Sequence, residues 1–156
     1  MHSVIFEIFP SPEIKTYKFE LCESSLYDEL DRYGFDYVSE DTNRKENIEW
    51  LFAYLETKPF LKYGKDEDGY FIETLETSSK ELTREIWSEL NEVYKEYQNP
   101  SEPTSDGMLL YKMQKVISSD YSFRFWENGT LNTLQSMITD YPSGRFYIGN
   151  TLDYHY

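Results

Sequence analysis

Short segments in which every second residue is apolar recur along the chain, and they restrict the possible folds more than any other feature. Residues 4–8 form the first segment, and residues 60–63 and 70–73 flank a turn-forming run at 65–69. A period of two predicts β-strands, and short Gly-containing turns between them predict hairpins. Helical stretches interrupt the strands irregularly. The sequence therefore predicts an α+β fold, a single domain with a mainly antiparallel sheet built from hairpins and packed against four or five helices.

Two further hairpins are predicted near the chain ends. The first turns at Pro10-Ser11-Pro12, and its apolar faces match when Phe6 lies opposite Tyr17 and Val4 lies opposite Phe19. The second turns at Gly149-Asn150, between two apolar segments of the C-terminal region.

Helical spacing predicts helices over residues 24–33, from about Thr42, over 80–97, from 109 to 120, and over 131–141. The clearest is the helix over 80–97. Ser78 and Glu81 have the spacing of a capping box at its start.

The helix over residues 80–97 has two chemically distinct faces. On a helical wheel its apolar residues and its glutamates occupy separate arcs of about 80° each. The apolar residues are Leu82, Ile86, Leu90, Val93 and Tyr97. The glutamates form the acidic row, which consists of Glu81, Glu85, Glu89, Glu92 and Glu96. The row extends over about 22 Å, and bases three residues away, at Arg84 and Lys95, are expected to offset part of its repulsion.

The charge of the chain is strongly negative and unevenly distributed. Against 15 Lys and Arg stand 29 Asp and Glu, a formal charge of −14. Residues 1–104 carry 24 acids and 11 bases, whereas residues 105–156 carry five acids and four bases. Like charges disfavour direct binding to nucleic acid or to an anionic membrane. We therefore expect a basic protein partner with an Arg/Lys-rich cleft. Residues 1–156 are predicted to form a single domain, and its acidic part, residues 1–104, is expected to face this cleft.

Beyond the acidic row, the residues predicted to contact this partner are Asp28, Glu29, Asp31, Asp66, Glu67, Asp68 and Tyr94. Aromatic side chains make up 18% of the chain, and several lie outside the predicted apolar stripes: Tyr27, Tyr33, Tyr37, Trp50, Tyr54, Trp87 and Tyr94. Tyr and Trp commonly anchor interfaces. These aromatics therefore predict either a contact surface or a thick aromatic core.

The sequence contains few residues that could form a catalytic or a metal-binding site. A Cys-His dyad needs Cys22 beside His2 or His155, and the predicted N-terminal hairpin places His2 on the opposite face from Cys22. His155 remains open as a partner. One cysteine and two histidines cannot form a structural zinc site, and residues 66–69 lack the alternating ligands of a calcium loop. We expect no catalytic residue, metal or cofactor.

The cellular location follows from similar arguments. One cysteine forms no internal disulfide, which is typical of a reducing compartment. The first seven residues contain an acid and show no basic segment followed by an apolar one, and no run of the chain has the length of a membrane span. A cytoplasmic location is the expectation.

In charge and size the chain resembles small bacterial or phage proteins that neutralise a basic target, such as DNA-mimicking anti-restriction or anti-CRISPR inhibitors and toxin-immunity proteins. The resemblance implies stoichiometric binding without a cofactor. Three alternatives stay open. The first is a structural or assembly subunit that self-associates, for example as a homodimer, through its aromatic surface. The second is a carboxylate-dependent hydrolase, and the third is that the acidic row is a solvated helix face.

Overall fold

The computed structural model describes residues 3–10, 20–26, 35–40, 43–99, 105–118 and 122–155. Within these residues there are seven strands and five helices. The strands are β1 (Ser3–Pro10), β2 (Tyr37–Ser39), β3 (Leu61–Lys65), β4 (Tyr70–Thr74), β5 (Phe123–Glu127), β6 (Thr130–Asn132) and β7 (Gly144–His155). The helices are α1 (Glu23–Leu26), α2 (Arg44–Leu55), α3 (Ser78–Gln98), α4 (Asp106–Ile117) and α5 (Leu134–Asp140).

All seven strands belong to one sheet, which confirms the predicted α+β single domain. The strand order is β3-β4-β7-β1-β5-β6, and β2 pairs with the C-terminal part of β7. Every pairing is antiparallel except that of β1 with β5, which is parallel. The sheet is thus mixed rather than purely antiparallel. Strands from the acidic part and from the near-neutral part of the chain are interleaved in it.

Strand β1 lies inside the sheet, and this overturns the predicted N-terminal hairpin. Phe6 is aligned with Phe125 of β5 on one side and with Thr151 of β7 on the other. Since a strand has two edges, the predicted pairing of Phe6 with Tyr17 is wrong. Residues 11–19 themselves lie outside the described residues. The error arose because both neighbours of β1 come from the far end of the chain.

The predicted C-terminal hairpin is replaced by one continuous strand, β7. Gly149 and Asn150 lie within it, opposite the point where the register of β1 shifts between Phe6 and Ile8. Such a shift is a β-bulge, which a Gly-Asn pair accommodates as readily as a turn. Glu7, at the bulge, is fully buried. The Gly-Asn pair at 149–150 therefore corresponds to a β-bulge and not to a hairpin turn.

The carboxylate of Glu7 connects three segments of the chain. Its Oε1 accepts hydrogen bonds from the backbone amides of Glu20 at 2.7 Å and Leu21 at 3.2 Å, and its Oε2 accepts one from Asn150 at 3.1 Å. Hydrogen bonds to an ionised acceptor are stronger than neutral ones. Glu7 therefore fixes the segment before α1 against the centre of the sheet.

The two remaining hairpins follow their local sequence signals. In the β3–β4 turn, a carboxylate oxygen of Asp66 accepts the amides of Asp68 and Gly69. In the β5–β6 turn, Asn128 and Gly129 both adopt positive φ, at 47° and 80°, as a tight Asn-Gly hairpin turn requires. The predicted β3–β4 hairpin is confirmed, whereas β6 occupies the start of the helix predicted over residues 131–141, which begins only at Leu134.

The sheet carries apolar residues on both faces. Val4, Phe6 and Ile8 of β1 pack in the larger cluster, together with residues of α2 and α5, and Ile5 points to the other side. The larger cluster contains Ile48, Leu51 and Leu55 of α2 and Leu134, Met137 and Ile138 of α5. The smaller cluster contains Leu21, Leu26, Phe35, Val38, Trp126, Leu152 and Tyr154.

The start of α3 differs from the predicted capping box. Ser78 is buried, donates its hydroxyl to the carbonyl of Phe60 at 2.5 Å and accepts the amide of Leu75 at 2.8 Å. Its side chain therefore anchors the helix to the loop before β3 instead of capping it. The helix begins at Ser78, and the predicted helices from about Thr42, at 109–120 and at 131–141 correspond to α2, α4 and α5. Residues 27–33 of the predicted first helix lie outside the described part.

Candidate functional site: the α3–α4 arm

Helices α3 and α4 pack against each other and form a two-helix arm. Lys112 of α4 donates to Glu96 of α3 at 2.6 Å, and the Tyr97 hydroxyl donates to Asp106. The latter contact raises the pKa of the Tyr97 phenol. Lys112, nearly two turns into α4, still reaches Glu96 near the end of α3, so α4 folds back along α3 and the two helices run roughly antiparallel. Within both helices Ser78 alone is buried. The arm is therefore mostly surface.

The base of α3 holds the arm to the body of the domain. Leu82 packs against the larger core cluster, and Glu85 forms an ion pair with Lys58 in which both side chains are largely covered, at 27% and 16% exposed. One member of the predicted acidic row, Glu85, thus has a structural partner. This pair joins α3 to the loop after α2.

The rest of the acidic row is accessible, with weak internal partners. Glu81 pairs with Arg84 and Glu92 pairs with Lys95, as the three-residue spacing predicted. Glu92 and Glu96 keep 69% and 54% of their side-chain surface exposed, and Glu89 is exposed as well. Exposed ion pairs contribute about 0–1 kcal/mol. The glutamates from 89 to 96 therefore exchange partners at little cost.

Tyr94 does not lie with the acidic row, although both were predicted to contact the same partner. On the wheel of α3 it stands about 180° from the centre of the row, beside Trp87. Both aromatics are exposed, at 50% for Tyr94 and 62% for Trp87. They continue the apolar stripe of α3 on the side away from the glutamates.

Helix α4 also exposes large apolar side chains. Leu110 is 66% and Ile117 is 54% exposed. They lie seven residues apart, on one side of the half-buried stripe of Leu109, Met113 and Val116. In the antiparallel pair this side of α4 adjoins the Trp87 and Tyr94 side of α3, since Glu96 and Lys112 meet on the opposite side. From this wheel geometry we assign four exposed side chains to one side of the arm, which we call the apolar arm face: Trp87, Tyr94, Leu110 and Ile117.

The turn residues predicted as partner contacts lie apart from the arm. Asp66 accepts hydrogen bonds from Arg145 at 3.0 Å and from the Tyr147 hydroxyl at 2.9 Å, besides the two turn amides. Burial raises the pKa of Asp66, but these donors outweigh it and lower the pKa. Asp66 is thus a structural residue, at the end of the β3–β4 hairpin opposite the start of α3. Glu67 is exposed, Asp68 is partly buried, and Asp28, Glu29 and Asp31 lie outside the described residues.

Arg145 completes this structural network on the sheet. It donates two hydrogen bonds to Glu73, at 2.6 and 2.8 Å, and its guanidinium lies over the ring of Phe71. The bond from Arg145 lowers the pKa of Glu73, and the bond to Glu73 raises the pKa of Arg145. Burial and the contact with Asp66 raise the pKa of Tyr147. These groups brace the β4–β7 pairing rather than forming an open site.

The lone cysteine lines a cleft of about 320 Å³. The Cys22 sulfur lies 3.0 Å from the Ser24 hydroxyl, which lowers the pKa of the thiol. The other residues that line the cleft are Leu21, Glu40, Arg44, Asn150, Thr151 and Leu152. His155 is not among them, and His2 lies outside the described residues. Within the described ranges no group of three His, Cys, Asp or Glu side chains is placed to hold a metal ion.

Comparisons with known proteins add no family to these observations. No protein-family model, no curated protein and no solved structure matches the chain. Among the helices in the described part, none is both long and apolar enough to cross a membrane. The function proposed below is therefore argued from the α3–α4 arm alone.

Proposed function

We propose that this protein is a stoichiometric binding protein that engages a basic protein partner through the acidic row of the α3–α4 arm, and that it acts by binding rather than by catalysis. The observation that supports this proposal is the accessibility of the row. Glu89, Glu92 and Glu96 lie on an exposed arm. The counter-ions of Glu92 and Glu96 belong to the same arm: Lys95 is exposed at 68%, and Lys112 is partly exposed at 35%.

The chemistry of the row favours arginine- and lysine-rich partners. A partner that brings several guanidinium groups to the arm displaces Lys95 from Glu92 and Lys112 from Glu96. Breaking these two surface ion pairs costs little free energy. The formal charge of −14 steers such a partner and accelerates its association. A protein that ordinarily holds nucleic-acid phosphates presents these side chains. Inhibition of such a protein in the cytoplasm, as an anti-restriction or immunity protein performs it, is the activity we propose.

The row alone imitates DNA poorly. Its carboxylates follow one another at about 5.6 Å, whereas duplex DNA carries one charge per about 1.7 Å. The proposed contact therefore needs a local basic patch on the partner rather than a full duplex-binding groove.

The proposal is tested with a charge-matched pair of variants. The triple variant Glu89→Gln, Glu92→Gln, Glu96→Gln removes three exposed charges and leaves the Glu85–Lys58 pair intact. The control removes three exposed glutamates in or beside α2: Glu46→Gln, Glu49→Gln, Glu56→Gln.

The wild type is used to capture partners from a host extract at low salt, and the captured protein is identified by mass spectrometry, purified and titrated against the wild type and both variants. Its affinity is then measured by titration calorimetry. We expect the triple variant to lose about 10- to 100-fold in affinity, which corresponds to about 0.5–1 kcal/mol for each lost charge contact, and the control to lose less than threefold. Equal losses in both variants contradict the proposed site.

A further inference from the structure

The apolar arcs of α3 and α4 are wider than one helix–helix contact requires. On α3 the arc extends from Leu82 to Trp87 over about 140°, and on α4 it extends from Val116 to Leu110 over about 120°. Each helix covers part of the other's arc. The remainder of both arcs is the apolar arm face, whose four side chains are 50–66% exposed. Two-sided arcs of this kind are typical of helices that have two helical neighbours, as in a four-helix bundle.

The charges of the arm permit a second copy as this neighbour. Together α3 and α4 carry six acids and five bases, so the arm is nearly neutral although the chain carries −14. The acidic row lies on the opposite side of α3 from Tyr94, so it stays outside when two apolar arm faces meet. Repulsion between two copies is therefore weak at this face, in contrast to the rest of the molecule.

The size of the face also suits a dimer. The exposed parts of its four side chains amount to roughly 350–580 Å² if each is given about 150–250 Å², the range for large aromatic side chains. Interfaces are about 56–65% apolar, so this core corresponds to roughly 540–1,040 Å² per copy with its polar rim. A standard stable interface buries about 800 Å² per partner.

We propose that two copies of this chain dimerise by packing their apolar arm faces together into a four-helix bundle. The dimer goes beyond the proposed function, because it uses the opposite side of the arm and leaves both acidic rows free. It presents two rows to partner molecules. Packing two isologous faces around a two-fold axis closes the assembly at the dimer.

The test compares two charge-introducing variants on opposite sides of α4. Leu110→Asp with Ile117→Asp places carboxylates in the apolar arm face. Met108→Asp with Tyr111→Asp places them on the side of α4 that carries Lys112, at positions 48% and 53% exposed. All four positions are exposed, so both variants are expected to fold, and far-ultraviolet circular dichroism verifies this.

Analytical ultracentrifugation over a range of concentrations gives the oligomeric state at about 0.15 M and 1 M salt. We expect a dimer for the wild type and for the Met108/Tyr111 variant, strengthened in 1 M salt because charge repulsion is screened. The Leu110/Ile117 variant should dissociate at least 100-fold more readily. A wild-type protein that stays monomeric throughout, or equal weakening by both variants, overturns the proposed dimer.

The two proposals fail separately. The triple glutamine variant of the acidic row should remain dimeric, and the monomeric Leu110/Ile117 variant should still bind the basic partner with an unchanged affinity per site. Loss of dimerisation in the glutamine variant contradicts the separation of the two faces.

Discussion

The fully buried carboxylate of Glu7 provides the sharpest test of how the sheet is held together. In Glu7→Gln the side chain keeps its shape but loses its charge and gains an amide that donates. If its oxygen faces Glu20 and Leu21, the new amide nitrogen faces the backbone N–H of Asn150, and two donors confront each other. The reverse orientation leaves the other two amides unpaired.

The magnitude follows from these three bonds. One buried backbone N–H loses its acceptor, which costs about 1–3 kcal/mol, and the bonds that remain weaken from charge-assisted to neutral ones by about 1 kcal/mol each. The relief of burying a neutral rather than a charged group offsets part of this, so a net loss of about 2–4 kcal/mol is expected. In a domain of this size that lowers the melting temperature by roughly 5–15 °C.

The assay is urea and thermal unfolding at pH 7, followed by circular dichroism, with Glu49→Gln as the control. Glu49 is 64% exposed and contacts Lys45 at 3.6 Å, so its loss should change the free energy of unfolding by less than about 0.5 kcal/mol. If Glu7→Gln is as mild as this control, the carboxylate does not hold the segment before α1 against the sheet.

Two further predictions concern single hydrogen bonds. The Tyr141 hydroxyl donates to buried Glu127 at 2.5 Å, which raises the pKa of Tyr141 to about 12; the bond therefore stabilises the fold below pH 10 and loses its effect as pH rises towards 12. The stability difference between wild type and Tyr141→Phe should shrink over that interval in urea titrations, and a constant difference refutes the assignment. Ser78→Ala removes a buried bond to the Phe60 carbonyl and should cost about 1–3 kcal/mol in urea unfolding; a loss below 0.5 kcal/mol contradicts the anchoring of α3.

The sequence predicted those parts of the fold whose signals are local. The Asp66 turn is fixed by hydrogen bonds between neighbouring residues, and the β3–β4 hairpin formed as expected. The β5–β6 hairpin was not predicted, because residues 131–141 have the spacing of a helix. The neighbours of β1 were missed because β5 and β7 lie more than one hundred residues away, and no short-range pattern reveals a parallel pairing. Gly149-Asn150 suggested a turn because a bulge and a turn place similar demands on the backbone.

The candidate site was likewise predicted only where its signals are local in sequence. Helical periodicity placed the acidic row correctly on α3, and the Glu81–Arg84 and Glu92–Lys95 pairs followed from spacing alone. Partners distant in sequence were missed, including Lys58 for Glu85 and Lys112 for Glu96.

The apolar arm face was predicted in part. Trp87 and Tyr94 were among the aromatics expected to form either a contact surface or an aromatic core, whereas Leu110 and Ile117 were missed. Its sequence signal was the width of the apolar arc on α4, because Leu110 and Ile117 fall outside the stripe that α3 covers. The width of the arc does not show which side the partner helix covers, and this follows only from the contacts between α3 and α4.

The central claim, that the acidic row recognises a basic partner, is tested most directly by the association rate measured as a function of salt. Stopped-flow fluorescence with the purified partner gives this rate for the wild type, for the Glu89/Glu92/Glu96 glutamine variant and for the Glu46/Glu49/Glu56 control. Contact charges change the association rate and its salt dependence most strongly. We predict a steep fall with salt for the wild type and the control, and a clearly flatter one for the acidic-row variant. Identical salt dependence in all three proteins would contradict the account.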